Sequence, residues 1–498
     1  MELQFQNKPL NCLRSILWGV KSCEQTQEVK LPEAMPDVAR VLGAWGQCLL
    51  RGKEWQTGRM GATGGVAVWV LYAPENGTFP RVVEAWIPWQ LHWELPPTQR
   101  DGIMRIQTAL KNVDARVVGA RKLMVRACVE ATGEAMEPVQ VEVFTPGQVP
   151  ENLYLLQRKY PMCIPTEAGE KSVMLEETLE LPAECGENAK LIRYLLLPKI
   201  HEEKLVGNRL LFRGIATLQG LCRDPEGELH NFSYDLPFSQ YADLESTNPA
   251  DPILQVIPAM TELELDILDG GKMALKASLI GQYLVCRKED IEIVEDAYSL
   301  GGQVKLKVQP LLIPAVLEAE RQTLQVTADS DILPENVIDV QCNAGQPEVN
   351  REDAGVNIKL SGVFPVLYRD MENGLQSAAI KWEQSQQLPA DPGTAFGLWL
   401  QPDPAPDAVL SGKGLQIRAD LSLCSKSIGG NPIPMVTGME IKPEERESLR
   451  PCLILRRGEG DTLWDMAKAC GSTEEAIRQA NGLTEEPEPD RMLLIPVI

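Results

Sequence analysis

Apolar and polar residues alternate along much of this chain, and three segments do so in the same way. They read "GGVAVWVLYAPENG" at 64–77, "GIATLQGLCRDPEG" at 214–227 and "GVFPVLYRDMENG" at 362–374. Each apolar run ends in a Leu followed by Tyr72, Cys222 or Tyr368, then meets a polar turn closed by Gly77, Gly227 or Gly374. Period-two alternation predicts a β-strand with one face buried, and the glycine supplies the positive φ of a hairpin turn. In the first copy, Val66, Val68 and Val70 are expected on one face, with Ala67 and Trp69 on the other.

Further markers fall at the same offsets. Leu31-Pro32, Leu181-Pro182 and Leu333-Pro334 recur about every 150 residues. Later come "RKLMVRACVEA", "GKMALKASLIG" and "GKGLQIRADLSL", which align Ala127, Ala277 and Ala419 at strand period. The order is the same three times. It predicts units at 11–145, 165–310 and 311–440. The many short runs bounded by turn residues favour sandwich- or barrel-like β units. "RDGIMRIQTAL" is compatible with a short helix or a strand. The charged, Pro-bounded stretch "KPEERESLRP" reads as a linker, placed at 441–450, before a last domain at 451–498.

That last domain changes period. "CLILRR" is a short strand, and Gly458 and Gly460 allow a tight exit. Thr462 with Asp465 forms a capping-box-like helix start; Leu463, Met466, Ala467 and Cys470 then face inward, and Gly471 stops the helix. Ser472 with Glu475 repeats the start, with Ala476, Ile477 and Ala480 as the inner face. Asn481-Gly482 ends this second helix, and "MLLIPV" closes the domain as a strand. Trp464 falls at the edge of the buried stripe. It can lie over the thin core or serve as an exposed anchor. The expected fold is therefore mainly β, with three sandwich- or barrel-like units and a small α+β domain of order βααβ.

The pattern "GDTLW…A…NGL…L.IP" resembles the LysM domain. It departs in a longer first turn, "RRGEGD", and in "PEPDRMLLIP", which lacks a Gly before the last strand. The repeats, through "VKLPEAMPDVARVL" and the strand after it, resemble the SPOCS domain of spore-forming bacteria. Three such units followed by one LysM domain are similar to the SipL-like family of spore envelope assembly proteins. That resemblance implies a mother-cell protein recruited to the forespore surface. It also implies a LysM domain that docks on the coat-basement ATPase, stage IV sporulation protein A. The implied binding groove is Gly460, Asp461, Thr462, Leu463 and Trp464 with Asn481, Gly482 and Leu483. The alternative ligand is peptidoglycan of cortex or wall.

Composition narrows the remaining classes. The 498 residues carry a net charge of −22 and a pI near 4.8. A strongly acidic chain without a basic stripe repels phosphate backbones and anionic membranes. The amino terminus lacks the pattern of a secretory signal, and no apolar run approaches bilayer length, so a cytosolic location is expected. Twelve scattered cysteines without a CxxC are then expected to be mostly reduced, although a spore location could oxidise some. His92, His201 and His230 lack metal-ligand spacing, so no metal, cofactor or catalytic set is expected. "GRMGATGG" at 58–65 lacks the Lys-Ser/Thr of a phosphate loop and reads as a flexible turn. The tryptophans of the first unit (Trp18, Trp45, Trp55, Trp69, Trp86, Trp89 and Trp93) read as core and inter-unit packing.

Overall fold

The computed structural model describes residues 2–498 except 78, 98–101, 187, 246–250, 353–354, 389–394, 405, 413, 430–431, 444–451, 457–461, 486 and 488–491. The chain is mainly β, and its only two α-helices among the described residues lie near the carboxy terminus.

The first unit is a pair of facing antiparallel sheets. In one, Lys122–Pro146 lies between Phe5–Lys30 and Ile103–Gly119. In the other, Arg59–Pro74 lies between Val38–Gln56 and Arg81–Glu94. The "RDGIMRIQTAL" segment is thus strand. The second unit repeats this topology. Lys272–Ser299 lies between Leu153–Glu180 and Ile253–Leu268, while Arg209–Arg223 lies between Lys190–Val206 and Leu229–Asp243. In the third, Gly414–Ile428 pairs with Val316–Ser330 on one side and with Ala395–Pro402 and Asp407–Ser411 on the other. Its second sheet centres on Gly355–Arg369, flanked by Leu375–Leu388 and three short strands between Asn336 and Glu352.

Each unit also sends out a two-stranded ribbon. Strand ladders continue over Phe5–Ser15 with Met136–Pro146, over Leu153–Ile164 with Arg287–Ser299, and over Gly302–Leu311 with Ile433–Pro443. The three ribbons pack through Leu10, Cys12, Val143, Ile164, Ile291 and Met435. Two expected divisions therefore differ from the ladders. Residues 302–310 pair within the third unit, and 441–443 belong to a strand, not to a linker. Leu3 pairs with Met439, so the start of the chain lies against the end of the third unit.

The repeated sequence markers have distinct structural jobs. Val66, Val68 and Val70 lie in the core between the sheets of the first unit. The opposite face of that strand is buried too, because it meets the other units. Trp69 packs on Tyr194 of the second unit with ring centroids 4.7 Å apart. Leu71, Leu221 and Leu367 converge in one cluster with Leu42, Trp45 and Ile192, so the marker leucine of all three units builds their common centre. The residue after it ties down the Leu-Pro segment in two units. The Tyr72 hydroxyl donates to the Pro36 carbonyl at 3.2 Å, whereas Cys222 is disulfide-bonded to Cys185. This bond corrects the expectation of reduced cysteines at these two positions: the Leu-Pro turn brings together thiols 37 residues apart.

Two turn readings also change. "GRMGATGG" is mostly strand, because Arg59–Pro74 begins inside it. Gly61, Gly64 and Gly65 make room for side chains of the next strand. A Cβ on Gly64 would lie 2.5 Å from the Trp89 ring, as one on Gly362 would from Trp382. In the third hairpin, the left-handed residue is Asn373, at φ 63°, and not Gly374.

Buried polar groups join the units. Glu134 accepts from Arg105 at 3.0 Å and from Lys426 of the third unit at 2.6 Å, with all three side chains almost fully buried. Arg105 also donates to Gln255 of the second unit at 2.8 Å. Burial pushes the proton affinity of both Arg105 and Lys426 down, and Glu134 opposes that. Gln282 of the second unit exchanges two hydrogen bonds with the Ile106 backbone of the first, at 2.7 and 2.9 Å. Gln47 does the same in the opposite direction with Leu196. An amide side chain here takes the place of a ladder partner, so backbone groups at the contact are not left unpaired.

Candidate functional site

The last domain is built from four short elements. Strands Cys452–Arg456 and Met492–Pro496 pair antiparallel. Between them lie helix α1, Leu463–Cys470, and helix α2, Glu474–Asn481.

Helix α1 starts in a capping box. The Asp465 amide donates to Thr462 Oγ1 at 3.1 Å, and the Thr462 amide donates back to Asp465 Oδ2 at 3.0 Å. These bonds from Thr462 hold the Asp465 carboxyl below its ordinary proton affinity. Gly471 ends α1 in the left-handed conformation, at φ 66°. Helix α2 is capped by Thr473, whose Oγ1 accepts from the Ala476 amide at 3.0 Å. Ser472 was the expected cap, but it is fully buried below the Thr473 turn. On α2 only Ile477 is buried, and Ala480 is exposed.

The domain core is Leu463, Met466, Ala467, Ile477, Leu493 and Ile495, and it continues into the body through Tyr298. Tyr298 lies at the tip of the second unit's ribbon. Its ring stacks on Tyr154 at 5.2 Å and meets the edge of Trp464 at 4.8 Å. Its hydroxyl donates to the Ser472 carbonyl at 2.9 Å, and burial pushes that phenol's pKa well up. Beside it, Asp296 receives the Trp464 indole N–H at 2.8 Å and the Lys468 ammonium at 2.7 Å to each oxygen. Residues 464 and 468 are four apart and so share one face of α1.

The expected groove residues are distributed as follows. Gly460 and Asp461 lie outside the described residues. Thr462 is exposed and engaged in the cap. Leu463 and Trp464 are buried, and Leu483 packs against the same cluster. Asn481 clips α2 to the closing strand: its amide donates to the Leu494 carbonyl at 2.6 Å and its oxygen accepts from the Leu494 amide at 2.8 Å. Gly482 caps α2 at φ 63°. Asp296, Tyr298 and Tyr154 were not among the expected residues. They sit on a strand pair whose register shifts between Val294 and Asp296, an irregularity that the sequence pattern does not announce.

Residues 458–496 match the family model of the LysM domain. This segment is a LysM domain. No curated protein and no solved structure matches the chain. The LysM domain turns Trp464 toward the chain's own ribbon, and it presents other residues outward. The closing strand alternates, burying Leu493 and Ile495 and leaving Met492 and Leu494 outside at 55% and 36% exposure; Ile498 beyond them is 64% exposed. No helix among the described residues is long and apolar enough to cross a membrane.

Proposed function

We propose that the protein is a non-enzymatic assembly scaffold of the bacterial spore envelope. In this reading the three β units are SPOCS-like and form the body, and the LysM domain binds a protein. The partner is the coat-basement ATPase, stage IV sporulation protein A or its like, met at the forespore surface in the mother cell. The placement in the spore rests on the resemblance of the domain order.

The choice of a protein ligand is supported by one observation above others. Trp464 is the only aromatic residue in 451–498, and it is buried against Tyr298 with its N–H given to Asp296. It is therefore not free to stack on a sugar ring. Among its described residues the domain exposes the apolar side chains of Met492, Leu494 and Ile498, the residue type that forms the core of a protein interface. Peptidoglycan remains the second reading, favoured by the LysM match itself.

The test is a pair of binding measurements on the full chain, one with purified peptidoglycan and one with the ATPase. The double substitution Met492→Glu with Leu494→Glu changes only outward positions. Loss of ATPase binding by this folded variant supports the reading. Tight peptidoglycan binding by the wild type, with no ATPase binding, overturns it.

A further inference from the structure

The second unit holds its cysteines in two different ways. Cys185 and Cys222 are joined and completely buried. Cys163 and Cys286 are both free. They lie on paired strands, with Cys163 opposite Lys288 and Cys286 opposite Pro165, next to a register shift at Val285 and Cys286. Residues 163 and 165 share a face, as do 286 and 288. The two thiols are thus diagonal neighbours on one face of the ladder, beside that irregularity. They share an apolar cluster with Leu13, Met136, Leu284 and Val316.

Access is one-sided. Cys286 is only 2% exposed, while Cys163 opens on a cavity of about 730 Å³ between the second and third units. Met162, Ile253, Leu311 and Ile313 give that cavity apolar walls, and Lys288 stands at it. The neighbouring Cys286 thiol holds the Cys163 proton affinity below the ordinary thiol value; Lys288 acts in the same direction. Cys163 and burial together push Cys286 well up. Of the two, Cys163 gives up its proton more readily and is the better placed to attack first.

We propose that Cys163 and Cys286 form a dithiol–disulfide centre, oxidised through the cavity by a low-molecular-weight disulfide. The Cys163 thiolate attacks one sulfur of the reagent, forming a mixed disulfide and releasing one small thiolate. Cys286 then loses its proton and attacks the Cys163 sulfur. The Cys163–Cys286 bond forms, and the second small thiolate leaves. Two protein thiols are oxidised and one reagent disulfide is reduced to two thiols, so electrons balance. Cys185 and Cys222, sealed from solvent, do not take part.

The test exposes the full-length protein to glutathione disulfide, quenches it with an alkylating reagent and maps thiols by peptide mass spectrometry. The expected wild-type product is a linked Cys163–Cys286 peptide pair, without glutathione on either residue and reversed by dithiothreitol. Cys286→Ala should stop at a glutathione adduct on Cys163, and Cys163→Ser should leave Cys286 unmodified. The wild-type map decides by itself, whether or not the variants fold. A stable glutathione adduct on wild-type Cys163, or two thiols that remain alkylatable, overturns the proposal.

Discussion

The indole of Trp464 and the carboxylate of Asp296 are joined by a 2.8 Å hydrogen bond across 168 residues of chain. Because Lys468 reaches the same carboxylate, one side chain of the ribbon holds two successive turns of α1. Replacing Asp296 with Ala leaves the buried Trp464 N–H without its partner and releases the half-exposed Lys468 to water. The expected loss is about 1–3 kcal/mol of docking free energy. Hydrogen exchange should quicken in 463–470 and around 298, with the amides of the β units unchanged. Trp464→Glu places a second carboxylate at Asp296, and should open the dock further.

Glu134 is the single anion between two buried cations. Glu134→Ala leaves Arg105 and Lys426 uncompensated, and the expected destabilisation is about 3–5 kcal/mol. Asp243→Ala is the contrast. Its pair with Arg209 is largely exposed, so the change should stay within about 1 kcal/mol. Chemical denaturation of the two variants side by side measures the difference.

Leu71, Leu221 and Leu367 fill one cluster. Each change to Ala should cost about 2–5 kcal/mol, since each leaves a cavity in a closed centre. The double variants should be non-additive, because the three share neighbours. Additive melting shifts would mean that the units do not share this core.

The cap of α1 should depend on acid. Asp465 has a folded proton affinity below the ordinary value of 3.8. Its contribution is therefore complete above that value and is lost as pH falls through the lower folded value. Helix α1 should loosen under those conditions in hydrogen exchange, and Asp465→Asn should weaken it already at neutral pH.

Local patterns carried much of the architecture. The alternation around Val66, the spacing of Ala127, Ala277 and Ala419, and the Thr462–Asp465 cap each follow from contacts within a few residues or from one buried face. The reason for the repeated leucine was not legible, since Leu71 meets Leu221 and Leu367 only after three units close on one another. The same holds for Trp464. Its place at the edge of the helical stripe can be read from the sequence, but its partner Asp296 lies in another element. The Cys185–Cys222 contact was hidden for a similar reason: the Leu-Pro turn that delivers Cys185 has no cysteine signature of its own.

The pairing of first strands with last strands has a consequence for how the protein is made. Phe5 pairs with Pro146, and Leu153 with Ser299. At about 5–20 residues per second on the ribosome, Phe5 waits roughly seven to thirty seconds for its partner. Until then Phe5–Lys30 is an unpaired template that other strands can join. Leu3 waits longest, because Met439 is nearly the whole body away. Among the ladders of the β body, the one that joins Leu3 to Met439 spans the greatest stretch of chain.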